Sequence, residues 1–294
     1  MRRFFIWTYP GAKYPSIFFT LLLLTSVLFL QTISSLVVRY LVYFPVDEVV
    51  NNPSKLGLHY EDIYFTNSEG FELHGWYLPG DTGVTLLWFH GNAGNISDRL
   101  NLIKQIRTQV EVGILIFDYR GYGLSEGVPS ESGLYLDAKA AMDYLTDRLD
   151  ADYESQNIVF FGRSLGSAVA LRMATIYDTQ AVIVEAPFTS LEDMAKIHYS
   201  YAPDFLINWL IQGRYDSRET VKDLTSPLMV IHGQKDPIVP ISMGRKIYDS
   251  AKVEKDFYFV EGAGHNDTFV VAGSEYFGRI RAFIESKSNR SQSE

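Results

Sequence analysis

The chain has 294 residues, 47% of them hydrophobic and 21% charged, with a formal net charge of −9. The first 46 residues hold Arg2, Arg3, Lys13 and Arg39 and no acid, so the remainder carries 22 basic and 35 acidic side chains, a net of −13. That acidic body excludes nucleic acid as a partner, because phosphate binding needs clustered Lys and Arg. The absence of cysteine excludes disulfides, thiolate metal sites and a cysteine nucleophile.

In chain order, the first feature is Ile17 to Val38, 22 residues without a charge. As a helix this segment spans roughly 30 Å, about one hydrocarbon core. Lys13 and Arg39 bracket it, and Trp7, Tyr9, Tyr14, Tyr40 and Tyr43 lie near its ends, where interfacial aromatics sit. The expectation is an anchor, residues 1–44, with a membrane helix over about 17–38. A cleaved signal peptide using Phe18 to Leu30, or a buried core helix, are the alternatives. Arg2, Arg3 and Lys13 against Arg39 and Lys55 favour a cytoplasmic N-terminus, with the large domain that follows on the opposite side.

From Pro45 the pattern changes to strands alternating with helices. Tyr60–Thr66 and Phe71–Leu78, separated by Asn67-Ser68-Glu69-Gly70, read as a hairpin. Buried strands are expected at Val84–Phe89, Val112–Phe117, Ile158–Phe161, Ala181–Val184, Leu228–Ile231 and Phe257–Val260. Helices are expected at about Ser97–Gln109, Gly133–Arg148, after Ser164 to Tyr177, and Ser274–Ser286. A hairpin followed by βα units implies an α/β fold, a mostly parallel sheet with helices on both faces. The domain runs over 45–288, with a short insertion at 186–216 and a polar tail at 289–294. In such sheets ligands bind beyond the carboxyl ends of the strands.

Those strand ends carry the chemistry. Gly162-Arg163-Ser164-Leu165-Gly166 follows an apolar run and precedes a small-residue helix pattern, the arrangement of a nucleophile elbow. A serine hydroxyl needs a base within hydrogen-bond reach and an acid to orient that base. Asp236 follows the strand at 228–231 and His265 follows the last strand, both downstream of Ser164. They are the expected acid and base, with Glu185 as the rival acid. The Leu165 N–H at the helix start and the Asn92 N–H after Val84–Phe89 are the expected oxyanion donors. His90 and His232, each followed by Gly, are expected to be structural. No cluster has metal-ligand spacing and neither glycine-rich loop is a phosphate loop, so no cofactor or metal is expected. The sequons at Asn95 and Asn266 fall inside these motifs and are read as chance matches; the third is at Asn289.

Six stretches together resemble the α/β-hydrolase superfamily: FHGNAGNISDR (89–99), DYRGYGLSEGVPSE (118–131), GRSLGSAVA (162–170), EAPFTS (185–190), HGQKDPIVP (232–240) and GAGHNDTF (262–269). The likeness is to its small-lid, membrane-anchored serine hydrolases, which include depalmitoylating thioesterases. It implies catalysis by Ser164, Asp236 and His265 and oxyanion binding by Asn92 and Leu165. It further implies cleavage of esters or thioesters of a small-molecule or lipid-like acyl substrate. The thioesterases attach through palmitoylated cysteines, and this chain has none. Amide or peptide hydrolysis, and a catalytically idle scaffold binding a lipid or a protein, are the other readings. The apolar insertion is expected either to line an acyl pocket or membrane-facing lip, or to pack on the sheet edge.

Overall fold

The structure, a computed structural model, describes residues 15–149, 157–211 and 214–288. The flanking residues Arg2, Arg3, Trp7, Tyr9, Lys13 and Tyr14 and the tail with Asn289 lie outside them. An apolar helix, α1 (Pro15–Val42), leads into a two-residue strand, β1 (Phe44–Pro45). The expected hairpin forms from β2 (Glu61–Thr66) and β3 (Glu72–Leu78), and Asn67 Oδ1 closes its turn by accepting the Glu69 and Phe71 N–H groups. Next come β4 (Thr85–Phe89), β5 (Ala93–Gly94), α2 (Leu100–Gln109), β6 (Gly113–Phe117) and α3 (Glu131–Arg148). They are followed by β7 (Ile158–Arg163), α4 (Leu165–Ala174), β8 (Ala181–Glu185), α5 (Leu191–His198), α6 (Asp204–Ile211) and α7 (Ser217–Thr220). The chain closes with β9 (Leu228–Gly233), α8 (Ile241–Ser250), β10 (Lys255–Val260), α9 (Thr268–Ala272) and α10 (Ser274–Ser288).

The main sheet has eight strands in the order β10-β9-β8-β7-β4-β6-β3-β2, parallel except where β3 meets β2 and β6. Strands β4, β6, β7, β8 and β9 are buried at every position and largely apolar, as strands of a two-sided parallel sheet must be, with the ionisable Arg163, Glu185 and His232 at or near their carboxyl ends. Edge strand β2 instead alternates, with Ile63 and Phe65 inward. Successive residues feed two cores. Leu87, Phe160, Val182 and Val230 pack under α3, α4 and α8, while Trp88, Phe161, Ile183 and Ile231 pack under α2 and α10.

The sheet grows outward in both directions from β4, which lies between β6 and β7. Loops leaving adjacent strands diverge at such a switch point and open a crevice. Phe89 is in register with Gly162, so the loop after β4 and the turn after β7 emerge side by side.

The structure differs from the sequence reading at element ends. α1 runs four residues past Val38, and Val38 and Tyr43 join the core of the main domain. The expected boundary at 44/45 falls inside β1, which pairs with β5. The expected helix from Ser97 starts as a tight 3-10 turn, Ile96–Arg99, capped by Asn95. The helix after Ser164 stops at Ala174, short of Tyr177, and neither α8 nor α9 is among the expected helices.

Candidate active site

β7 ends at Arg163 and α4 begins at Leu165, so Ser164 alone makes the turn. Its backbone sits at φ 51° and ψ −117°, a left-handed φ that carries about 1–3 kcal/mol of strain for a residue with a β-carbon. Surrounding bonds hold it there. Ser164 N–H donates to Glu185 O at 2.8 Å, and Ser167 Oγ is 3.0 Å from the carbonyls of both Gly162 and Glu185. The flanking glycines are required by space. A β-carbon at Gly166 would lie 1.9 Å from Phe89 O, and one at Gly162 would lie 2.4 Å from Gly166 O. These clashes are with backbone, which cannot rotate away. Gly166→Ala is therefore expected to cost at least about 1–3 kcal/mol, read as a lowered midpoint in chemical denaturation.

The loops after β9 and β10 bring the other two residues together. His265 Nδ1 lies 2.7 Å from Asp236 Oδ2, and Asp236 Oδ1 accepts the N–H groups of Ile238 and Val239 at 2.8 Å each. Burial pushes the Asp236 carboxyl up. Hydrogen bonds from His232, His265 and the Val239 N–H outweigh it and hold the group well below the usual carboxylate range. Asp236 is thus an anion fixed at both oxygens. Ser164, Leu165, Asn92 and His265 line one cavity of about 960 Å³. Among the described residues no hydrogen bond joins Ser164 Oγ to the His265 ring. Such bonds are commonly long before substrate binds.

Glu185, the rival acid, has its carboxylate bonded to other partners. It is fully buried, with Oε2 accepting Tyr276 OH at 2.7 Å, Oε1 accepting Thr268 Oγ1, and Arg163 Nε 3.3 Å from Oε1. Arg163 Nη2 in turn donates to His265 O at 2.8 Å and to Asn266 Oδ1 at 3.1 Å. This network clamps the His265 loop from below. The variable residue inside the Gly-x-Ser-x-Gly motif is therefore a strut for the loop bearing the imidazole, which sequence reading missed because the partner carbonyl leaves no side-chain signature.

The expected oxyanion loop lies against the elbow: a β-carbon on Gly91 would be 3.7 Å from Ser164 Cβ. Leu165 is the first residue of α4, so its N–H lacks a helical partner. Asn92 is held on its other side. Its carbonyl accepts Phe44 N–H at 2.9 Å and Tyr122 OH at 2.8 Å, and its Nδ2 donates to Val42 O at 3.0 Å. Asn95 Nδ2 donates to Val46 O and Glu48 O. The segment leaving α1 is thus a strap bonded along this loop, which the sequence did not reveal.

His90 and His232 are both buried and structural, as expected. His90 Nδ1 meets Gly91 O at 2.7 Å and burial pushes its ring down to about 3, so it is neutral. His232 Nε2 meets Val239 O at 2.8 Å beside Asp236. The sequon at Asn95 is buried and its amide is spent on the strap, which leaves no room for a glycan. Asn266 holds Arg163 instead.

This arrangement sits in a fold of known kind. The family described as Serine aminopeptidase, S33, matches residues 82–215. The chain is 35% identical over 249 residues to an uncharacterized protein of Mycobacterium tuberculosis (strain H37Rv), covering 84% of this chain and 86% of that one. It is 33% identical over 268 residues to the α/β hydrolase domain-containing protein WAV2 of Arabidopsis thaliana, covering 83% and 86%. Among solved structures, the Pyrococcus furiosus esterase Pf2001 superposes with a TM-score of 0.69 at 21% identity, over 83% of this chain and 98% of that one. The chain belongs to the α/β-hydrolase family.

Proposed function

We propose that the protein is a membrane-anchored serine hydrolase that cleaves carboxylic esters or thioesters through an acyl-enzyme on Ser164. The observation that carries this reading is the 2.7 Å bond from His265 to an ionised, doubly fixed Asp236, in a cavity shared with Ser164. In this mechanism Ser164 Oγ attacks the acyl carbonyl while His265 takes its proton. Leu165 and Asn92 N–H groups stabilise the oxyanion. Collapse breaks the bond to the leaving group, which receives the proton from His265. Water then repeats the sequence, releasing the acid and restoring the serine. Asp236 holds the imidazole tautomer and supports its cation.

Anchoring is supported by Phe19–Val42, long and apolar enough to cross a membrane. The basic residues Arg2, Arg3 and Lys13 before it favour a cytoplasmic N-terminus with the catalytic domain across the bilayer. An amide substrate is the second reading, favoured by the aminopeptidase description of the matching family.

A fluorophosphonate probe is expected to label the full chain and to leave Ser164→Ala unlabelled. Absent labelling of the wild type would refute catalysis at Ser164 and leave an idle scaffold, and equal labelling of both would place the reactive nucleophile at another residue. A panel of matched esters, thioesters and amides then ranks the leaving groups, and faster amide turnover would favour the second reading.

A further inference from the structure

The cavity that holds Ser164 is walled in part by the membrane helix itself. Val37, Val38, Leu41 and Val42 of α1 line it together with Leu191 and Met194 of α5. The insertion is docked on the same helix: Ser34 Oγ donates to Leu210 O at 2.6 Å. α1 therefore changes environment along its length. Leu21 to Leu24 and Val27 to Leu30 stand exposed, suited to lipid, whereas Val38 is buried against the hydrolase core. Phe205 and Trp209 of α6 and Tyr201 beside it are exposed next to this helix. Trp209 shares a surface pocket with Val27, Leu30 and Ser34 of α1, and an exposed aromatic set beside an apolar helix is suited to a membrane interface.

We infer that α1 is one wall of the acyl-binding site, and that the substrate is a long-chain acyl ester or thioester drawn sideways from the bilayer along α1. This rests on the serine-hydrolase reading of the same cavity. Three observations select that occupant over a water-soluble one. The wall and the proposed spanning segment are one continuous helix, so an acyl chain sliding along it reaches Ser164 without crossing water. The α1 wall and Leu191, Met194 and Ala195 of α5 are apolar, which rewards methylenes, while the rest of the lining includes Asp98, Arg99, Asn101 and His198, which suit a polar head rather than a chain. The volume, about 960 Å³, lies at the upper end of the range for small-molecule sites, enough for an extended chain beside the reacting carbonyl. The insertion thus both lines the acyl pocket and forms the membrane-facing lip, and it packs on α1.

The test uses the full chain in phospholipid vesicles and p-nitrophenyl esters from two to twelve acyl carbons. For the wild type, kcat/KM is expected to rise about fourfold per methylene while the chain is still filling the apolar wall. Leu41→Trp fills the cavity from a position that is half exposed, so the core is not disturbed. It is expected to lower the ratio of twelve-carbon to two-carbon kcat/KM by 10- to 100-fold. Leu24→Trp, on the exposed stretch, is expected to leave that ratio at the wild-type value. An unchanged ratio in Leu41→Trp, or an equal fall in Leu24→Trp, overturns the inference.

A second measurement needs no turnover. Ser164→Ala is reconstituted with a hexadecyl glycerol ether bearing a terminal diazirine and irradiated. Crosslinks on the peptide carrying Leu191 and Met194, suppressed by adding Leu41→Trp, support the site. Crosslinks confined to Leu21–Leu30 overturn it. If the wild type also resists the fluorophosphonate while the α5 crosslink persists, the chemistry has failed and the acyl site has not.

Discussion

Asp236→Asn is expected to lower kcat for ester hydrolysis by about 10⁴-fold while the fold persists. The backbone donors Ile238 and Val239 hold one carboxylate oxygen, so the other is aimed at His265 Nδ1 without freedom to turn. An amide fixed in the same place presents either a carbonyl, which cannot support the imidazolium as a carboxylate does, or an NH₂. The NH₂ forces Nδ1 to accept, puts the ring proton on Nε2, and leaves no base for Ser164. Glu185→Gln, by contrast, changes only the clamp beneath the loop and is expected to lose far less. A variant pair with the effects reversed would show that Glu185 is the acid. The same carboxylate makes a prediction about stability and pH. Its folded pKa lies below the ordinary value near 4, so its contribution is complete above about pH 4 and is lost as the pH falls toward the folded value. Urea titrations of wild type and Asp236→Asn should therefore differ most above pH 4 and converge below it.

The sheet was legible in the sequence because its strands are apolar runs closed by glycine-rich turns. Val84–Phe89 and Leu228–Ile231 have no other plausible place than a two-sided sheet, and the structure pairs them as β4 and β9. Ser164, Asp236 and His265 stood out as the proposed serine, acid and base because each follows a strand in the order the fold requires, and the structure sets His265 against Asp236 and in one cavity with Ser164. What the sequence hid depends on backbone partners. Arg163 holds the carbonyl of His265, and Phe44 donates its own N–H to Asn92 O; neither contact requires a particular side chain at the receiving end. The role of α1 was hidden for another reason. Val37, Val38 and Leu41 suit a lipid-facing surface and a cavity wall equally, and only the docked α6 distinguishes them.

That strap leads to the second large effect. Phe44→Pro removes the N–H that Asn92 O accepts, and Asn92→Ala removes the amide bonded to Val42 O. Together they leave Tyr122 OH as the remaining hydrogen bond to the Asn92 carbonyl. The Asn92–Ala93 peptide then loses most of what fixes it, and with it the loop that carries the proposed oxyanion donor, the Asn92 N–H. A donor that must be reorganised during the reaction stabilises little, because oxyanion stabilisation depends on preorganisation. The double variant is therefore expected to lose about 10²–10³ in kcat, the cost of losing one oxyanion donor. KM for a short, water-soluble ester should change little, since that ester does not use the membrane wall. Adding Tyr122→Phe should deepen the loss, and because Phe44 N–H and Tyr122 OH share the Asn92 carbonyl, with the Asn92 amide bonded to the adjoining strap, their effects should not be additive. A double variant with undiminished kcat and an unchanged thermal midpoint would reduce the strap to a tether. A fall in kcat at constant stability would instead show that the link leaving α1 sets the geometry of the site.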